Sequence, residues 1–331
     1  MRRRSLLVAL ATCGLALRGR PTWAAAPARL VSVITALPLD HPLVRSRMGE
    51  LRGLLAERGW VEGGNLRAIW RFSGASEDDL ARAVGETLRD RPDVIIVGSS
   101  TEAEAVLAET RRTPVLFSTA SDPIGSGFVR SLERPEGNAT GFSNNAPAMS
   151  AKWVELLVEI APETHRIGVV FNPRTTPAAG ETYLATLNAS IVEQELELGM
   201  LPVAEPAAIE RAIAGFAAHG AGGGLVFLPD SFTFRHAGRC AEAAARARLP
   251  AIYPFDTFTQ QGGLMSYTGA REGTAELMAS YVDLILRGAN VAELPVQFSR
   301  SFELVINEKA AAALGLGLPP SLRIRAQRIV S

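Results

Sequence analysis

Hydroxyl and carboxyl side chains are concentrated directly after the short apolar segments of this sequence. Five of them follow two segments in the first half of the chain: Ser99, Ser100, Thr119, Ser121 and Asp122. Four more polar or amphipathic residues follow similar segments of the second half: Asn172, Asp230, Tyr253 and Asp256. In open α/β sheets, ligands bind outside the carboxyl ends of the strands. These nine residues are therefore candidates for binding a small molecule.

The two halves of the chain would offer a ligand opposite charges. Ser99 and Ser100 stand where a predicted helix begins, and a helix N-terminus favours an anion such as a carboxylate. Asp230 ends a predicted strand, where an ionised carboxylate could hold an ammonium group. Asp122 and Asp256 are the other candidates for this role. The alternative is that these residues only cap the helices that follow them. The pattern favours a small zwitterion as the ligand.

Aromatic residues near the same strand ends favour a ligand with an apolar side chain. Phe142, Tyr253, Phe255 and Tyr267 lie on strand ends or on segments that connect the two halves. There the rings could form an apolar wall and stack on a ligand ring. The alternative is that they belong to the ordinary core. Tyr267 completes a set of ten candidate binding residues.

No arrangement of residues in the sequence predicts catalysis. The sequence contains no Gly-x-Ser-x-Gly elbow, no phosphate-binding loop ending in Gly-Lys and no His-Glu-x-x-His helix. Its four histidines, His41, His165, His219 and His236, lack metal-ligand spacing, and Cys240 occupies an apolar position of a predicted helix. We expect no catalytic residue, no metal site and no cofactor. An exported hydrolase is the weakest of the alternatives.

The elements that carry these residues alternate between strands and helices. Residues 29–35, 92–97 and 114–117 form apolar, strand-like runs, and residues 45–58 and 102–110 between them have helical spacing. Such alternation predicts βαβ units and a parallel sheet buried on both faces. The predicted fold class is therefore α/β with doubly wound parallel sheets.

The same order of elements returns in the second half of the chain. Strand-like runs begin at Arg166 and Pro250, which follow their counterparts Arg29 and Pro114 by 137 and 136 residues. This agreement favours two equivalent lobes over two unrelated parts of one large sheet. Turn-rich segments at 137–145, 262–269 and near 294–302 are predicted to cross between the lobes as hinges. The predicted division is a signal peptide at 1–26, a first lobe at 28–142 plus 268–294, and a second lobe at 143–267 plus 295–331.

The N-terminus has the pattern of a secretory signal. Arg2, Arg3 and Arg4 precede an uncharged apolar run, and three alanines at 24–26 offer a cleavage site. The run also resembles a twin-arginine signal, and Cys13 would be the lipidated residue of a lipoprotein, which its context disfavours. Without residues 1–26 the formal charge changes from zero to −5, because five arginines and no acidic residue are removed. We expect a periplasmic, mildly acidic protein that does not bind nucleic acid.

Several segments together resemble one family of exported proteins. They are 58–65 (RGWVEGGN), 117–127 (FSTASDPIGSG), 134–143 (RPEGNATGFS), 249–253 (LPAIY), 262–267 (GGLMSY) and 302–307 (FELVIN). In this order they resemble the ABC-transporter substrate-binding proteins of the tryptophan/tyrosine-transport type, from about residue 29 to 330. The resemblance implies a type I periplasmic-binding-protein-like fold, with two lobes, three hinge strands and aromatic amino acids as ligands. Residues 98–102 depart from the family pattern, so the resemblance does not fix the solute.

The sequence thus predicts a binding protein rather than an enzyme. It would be an exported monomer that captures an aromatic or apolar amino acid between its lobes and delivers it to an ABC permease in the membrane. Another carboxylated solute or a nucleoside is the alternative ligand. A membrane receptor that senses the ligand is the alternative partner.

Overall fold

Two separate sheets, each covered by helices, form the framework of the chain. They are seen in a computed structural model that describes residues 27–74, 76–270, 273–299 and 301–330. The predicted signal peptide at residues 1–26 lies outside the described residues.

The first sheet has six parallel strands. In spatial order they are β11 (Gln297–Phe298), β5 (Ala139–Ser143), β4 (Val115–Ala120), β3 (Val94–Val97), β1 (Arg29–Thr35) and β2 (Leu66–Phe72). Its helices are α1 (Pro42–Glu57), α2 (Glu77–Arg89), α3 (Ser100–Glu109) and α10 (Thr274–Leu286). We call this sheet with its helices the first lobe.

The central strands of the first lobe are apolar throughout because both of their faces are buried. Successive side chains of a strand point to opposite faces. Val94 and Ile96 of β3 pack in a cluster with residues of α1 and α10, whereas Ile95 and Val97 pack with residues of α2 and α3. This arrangement is that of a doubly wound sheet.

The second sheet has seven strands. In spatial order they are β13 (Arg328–Val330), β12 (Phe302–Asn307), β10 (Met265–Gly269), β9 (Ala251–Tyr253), β8 (Gly223–Phe227), β6 (Arg166–Phe171) and β7 (Glu197–Pro202). Only the pairing of β10 with β12 is antiparallel among the described ladders. The helices of this second lobe are α4 (Met149–Ile160), α5 (Glu181–Glu193), α6 (Pro206–Ala217), α7 (Ser231–Arg235), α8 (Ala237–Arg246), α9 (Asp256–Gln260), α11 (Glu308–Leu314) and α12 (Pro320–Arg325).

The two lobes share one strand order. The series β2-β1-β3-β4-β5 of the first sheet corresponds to β7-β6-β8-β9-β10 of the second. The sequence repeat located β1, β3 and β4 with their partners β6, β8 and β9. It missed β2 and β7, because these strands are largely half-buried or exposed and lack a continuous apolar run. The α/β, doubly wound fold class is confirmed.

Three crossings join the lobes and are hydrogen-bonded to one another. They follow β5, β10 and β11. Gly269 N donates to Asn144 O (3.0 Å), and Ser299 N donates to Ser143 O (3.2 Å). The Ser299 hydroxyl donates to Ala270 O (2.7 Å). The crossings therefore form one connected hinge.

The crossings start later in the chain than the sequence suggested. Residues 139–143 and 265–269, which we expected within crossing segments, are strands of the first and second sheets. Residues 297–298, which the predicted division assigned to the second lobe, pair with β5 in the first sheet. These strands contain glycines and polar residues, which are typical of loops, and the sequence analysis therefore assigned them to connecting segments.

Candidate ligand-binding site

A cavity of about 70 Å³, partly open to solvent, lies between the two lobes. On the first lobe it is lined by Thr35, Gly98, Ser99, Ser100, Thr119 and Ser121. On the second lobe it is lined by Thr175, Pro229, Asp230, Ser231, Phe234 and Phe255. Most of these residues follow the carboxyl ends of parallel strands, where ligands of open α/β sheets bind. We call this space the interlobe cavity.

The N-terminus of α3 opens onto the interlobe cavity. Ser99 is the N-cap residue of α3, and its hydroxyl accepts a hydrogen bond from the third helical N–H group. The Ser100 hydroxyl accepts from Ser121 N (3.1 Å), and the Thr119 hydroxyl donates to Gly98 O (2.5 Å). The first N–H groups of a helix have no acceptor within the helix. The loop is thus held by its own hydroxyls and presents N–H groups that suit an anion.

A buried carboxyl group supports this loop from below. Glu102 is 1% exposed and accepts hydrogen bonds from Gly98 N (2.9 Å) and the Ser73 hydroxyl (2.9 Å). Burial raises the pKa of Glu102 to about 7, against the opposing effect of these hydrogen bonds. The sequence analysis missed this residue, since its spacing marks it only as the first turn of a helix.

Asp230 lines the interlobe cavity but is fully engaged within its own lobe. One oxygen accepts from Thr233 N (2.7 Å) and from the Thr175 hydroxyl (3.1 Å). The other accepts from the Thr233 hydroxyl (2.8 Å) and from Asn172 N (3.3 Å). Burial raises the pKa of Asp230 to about 6. Asp230 is the N-cap of α7, which favours the capping alternative over the ammonium-binding role.

The two other candidate aspartates lie away from the cavity lining. Asp122 accepts hydrogen bonds from Gly125 N (2.9 Å) and from the Thr182 hydroxyl of α5 (2.6 Å). Asp256 accepts from Gln260 and forms an ion pair with Arg328 (3.0 Å) at the surface. Asp122 therefore links the lobes, and Asp256 is paired with surface residues of its own lobe.

A hinge residue supplies an acceptor that the sequence analysis did not consider. Asn144 lies in the first crossing and lines the interlobe cavity. Its side-chain oxygen is buried and has no hydrogen-bond partner among the described residues. Its backbone carbonyl is fixed by Gly269. A buried acceptor without a partner is costly, so this oxygen is suited to receiving a donor from a ligand.

Only one of the four expected aromatic residues lines the interlobe cavity. Phe255 does so, and it makes an edge contact with Phe234 of α7 at 5.4 Å between ring centroids. Tyr253 stacks on Phe258 in the core of the second lobe (4.8 Å). Tyr267 stacks on Phe302 (5.6 Å). For both tyrosines, the observed packing corrects the expectation that they wall the ligand.

Phe142 also packs away from the interlobe cavity. It contacts Tyr281 of α10 in the core of the first lobe, with ring centroids 5.4 Å apart. Asn172 is likewise not part of the cavity lining, but its N–H group holds Asp230. The structure therefore brings together five of the ten predicted residues around the cavity: Ser99, Ser100, Thr119, Ser121 and Asp230.

Direct contacts between the lobes define a closed arrangement. At the cavity, the hydroxyls of Thr101 and Ser231 are hydrogen-bonded (2.9 Å). Further out, Arg174 forms an ion pair with Glu77 (3.2 Å). Nearer the hinge, Tyr183 of α5 contacts the carbonyl oxygens of Ser121 and Asn145.

The chemistry of the described residues suits binding. Cys240 is buried, and burial raises its pKa well above the ordinary value, so its thiol is a poor nucleophile. No group of three or more His, Cys, Asp or Glu residues that could hold a metal occurs in the described part of the chain. None of its described helices is long and apolar enough to cross a bilayer.

Comparison with known proteins assigns the class. The family model for "ABC transporter substrate binding protein" matches residues 31–330, so the chain belongs to this family. It is a solute-binding protein of the ABC-transporter type, with the periplasmic-binding-protein-like fold, and not an enzyme. This confirms the family resemblance found in the sequence.

Individual proteins are similar to this chain over most of its length. The chain is 22% identical over 280 residues to the "Tyrosine-binding protein" of Clostridioides difficile, covering 84% of this chain and 79% of the relative. A conserved domain protein from Vibrio cholerae is 26% identical, with a TM-score of 0.81 over 91% of this chain and 99% of that one. An ABC domain from Streptococcus pneumonia, solved in complex with L-Trp, is 20% identical, with a TM-score of 0.81 over 92% of this chain and 100% of that one.

Proposed function

We propose that this protein captures an apolar or aromatic amino acid in the interlobe cavity and delivers it to an ABC permease. The observation that carries the proposal is the composition of the cavity walls. One lobe presents the N-terminus of α3, the other presents the Phe234–Phe255 pair, and the hinge contributes the oxygen of Asn144. These three features complement a carboxylate, an apolar group and an ammonium, respectively.

The ligands of the relatives support the same class of solute. One relative is named for binding tyrosine, and one structural neighbour was solved with L-Trp. The residues that line the interlobe cavity suit that class of solute, because hydroxyl groups lie on one wall and aromatic rings on the facing wall. Another carboxylated solute or a nucleoside is the second candidate, because the α3 N-terminus would also bind its anionic or hydroxyl groups.

Calorimetric titration with a panel of L-amino acids, carboxylic acids and nucleosides tests the proposal. We expect binding of L-tyrosine, L-tryptophan or L-phenylalanine, with weaker binding of L-alanine and of deaminated analogues such as phenylpropionate. Binding of nucleosides alone, or of sugars or polyamines alone, would contradict the amino-acid assignment.

Asn144→Leu tests the ammonium contact within this assignment. The substitution keeps the side-chain size and removes the acceptor, so affinity for the best amino acid should fall about tenfold or more. Affinity for its deaminated analogue should change little. Equal losses for both ligands would assign Asn144 to the hinge alone.

The same proposal includes the export of the protein and its partner in the membrane. Residues 1–26 would act as a signal, and the mature protein would work as a periplasmic monomer. The mass of the secreted protein tests the cleavage. Reconstitution with its transporter should give ligand-dependent ATP hydrolysis, whereas a receptor partner would bind the liganded protein without it.

A further inference from the structure

A second cavity lies inside the first lobe, beneath helix α1. It has a volume of about 460 Å³ and is again partly open to solvent. Its walls come from the sheet, from α1 and from α10, and they combine apolar side chains with polar and charged ones such as Ser46, Glu50 and Glu276. They include Val33, Leu43, Leu51, Trp70, Ile96 and Met278. We call this space the α1 cavity.

Helix α1 covers this cavity without filling it. Val44 and Leu55 are the buried residues of α1, a helix of 16 residues that lies wholly within the described chain. Leu43 and Leu51 point toward the same cavity but are only half-buried. A helix packed tightly on a sheet normally buries one continuous apolar stripe. The inner face of α1 therefore borders the cavity in addition to packing on the core through Leu54 and Leu55.

The α1 cavity adjoins the interlobe cavity. Thr35, Arg47 and Gly98 line both. Gly98 directly precedes the Ser99–Ser100 loop, so the α1 cavity opens beside the N-terminus of α3. Charged residues such as Arg47 and Glu50 lie on its lining toward α1, and its base is apolar.

We propose that the α1 cavity is the side-chain pocket of the binding site. The inference rests on the proposed function. An amino acid whose carboxylate binds at α3 would direct its side chain past Gly98, and a large apolar side chain would be removed from water against Trp70, Leu51 and Met278. The size and apolar base of this pocket select large aromatic or aliphatic side chains. The Phe234–Phe255 pair would contact the same side chain from the second lobe.

A pair of matched variants tests this pocket. Leu51→Trp adds bulk inside the α1 cavity. Leu54→Trp makes the same change on the same helix, at a half-buried residue that packs on the core and is not part of the cavity lining. We expect Leu51→Trp to weaken L-tryptophan binding at least tenfold, and Leu54→Trp to change it less than threefold. Thermal unfolding of both variants checks that each one folds.

The fluorescence of Trp70 gives a readout that does not depend on a bulky substitution. Trp70 lines the α1 cavity, whereas Trp60 and Trp153 are not part of its lining. Binding of L-tyrosine, with excitation selective for tryptophan, should change the emission of the wild-type protein. The change should disappear in Trp70→Phe, at a ligand concentration that calorimetry shows to saturate this variant.

The outcomes separate this inference from the proposed function. Tight binding of L-tryptophan that both α1 variants affect equally, together with unchanged Trp70 emission, would overturn the side-chain pocket and leave the amino-acid assignment intact. Failure of the wild-type protein to bind any amino acid would overturn the proposed function and this inference with it.

Discussion

At the scale of single residues, the carboxyl groups near the cleft are held by donors of the protein itself. Asp230 and Asp122 each use both oxygens in hydrogen bonds, and Glu102 is buried beneath the α3 loop. Such groups shape the site more than they contact a ligand. Under the proposed function, the ligand contacts would fall to backbone N–H groups and to Asn144, and neither carries a signature in the sequence.

Asp230→Asn tests the capping role of Asp230. Asparagine caps a helix as well as aspartate does, so ligand affinity should remain within about threefold. Stability should fall by about 1 kcal/mol, because an NH₂ group replaces one acceptor of the four-bond arrangement. Calorimetry and urea unfolding measure the two effects. A loss of affinity of a hundredfold at unchanged stability would make Asp230 the ammonium partner.

Glu102→Gln tests the effect of the buried carboxyl on stability. The pKa of Glu102 is raised from 4.5 to about 7 in the folded protein, so the folded state retains the proton that the unfolded state releases. Its stabilising contribution is present below about pH 4.5 and is lost as pH rises through about 7. Compared with the wild type, Glu102→Gln should therefore gain about 3 kcal/mol of stability between about pH 4 and pH 8.

Urea unfolding at the two pH values measures this difference. Glu104→Gln, an exposed position on the same helix, is the matched control and should show no such gain. A parallel pH dependence of Glu102→Gln and the wild type would mean that Glu102 titrates normally.

At the scale of elements, the hinge depends on the close approach of its three crossings. A Cβ atom at Gly269 would lie 2.5 Å from the carbonyl oxygen of Asn144 and 2.7 Å from Ser299. No side chain fits there while the crossings remain together. A glycine is therefore required by contact, not by backbone conformation.

Gly269→Ala should destabilise the protein by about 1–3 kcal/mol, because the added methyl group separates the crossings and strains the Asn144 contact. Gly85→Ala is the matched control. Gly85 lies within α2 with nothing near its missing side chain, so alanine should be neutral or stabilising there. Thermal unfolding compares the two. Equal melting temperatures for Gly269→Ala and the wild type would show that the crossings can part without cost.

At the scale of the whole molecule, two lobes joined by one hinge predict a protein that closes on its ligand. The Thr101–Ser231 hydrogen bond and the Arg174–Glu77 ion pair both join the two lobes. They exist only when the lobes are together. Ligand binding and lobe closure should therefore be coupled.

Thr101→Val tests this coupling. The variant keeps the shape of the side chain but loses the hydrogen bond to Ser231. Because this bond stabilises the closed state by about 1 kcal/mol, its loss should lower the apparent ligand affinity about fivefold. Solution scattering should show that the best ligand of the panel makes the wild-type protein more compact. Identical scattering profiles with and without ligand would contradict closure.

Much of the fold was predictable because local patterns specify it. Continuous apolar runs such as residues 94–97 and 225–228 reveal strands buried on both faces, and their repetition at a constant offset reveals the second lobe. The edge strands β2 and β7 and the strands β5 and β10 were not found. Their partial exposure, or their glycines and polar residues, makes them resemble loops, and only pairing with neighbours defines them.

The sequence by itself determined the class of protein, the two α/β lobes and the α3 loop, because these follow from periodicity, from capping residues and from family segments. The tertiary structure decided which side chains face the cleft. In the folded chain, Tyr253 and Tyr267 each stack on a phenylalanine, and Asp230 caps helix α7. Asn144 and Phe234, in contrast, line the cavity. The physical reason is that orientation at a strand end, and the partner each polar group finds, depend on contacts between residues far apart in the chain.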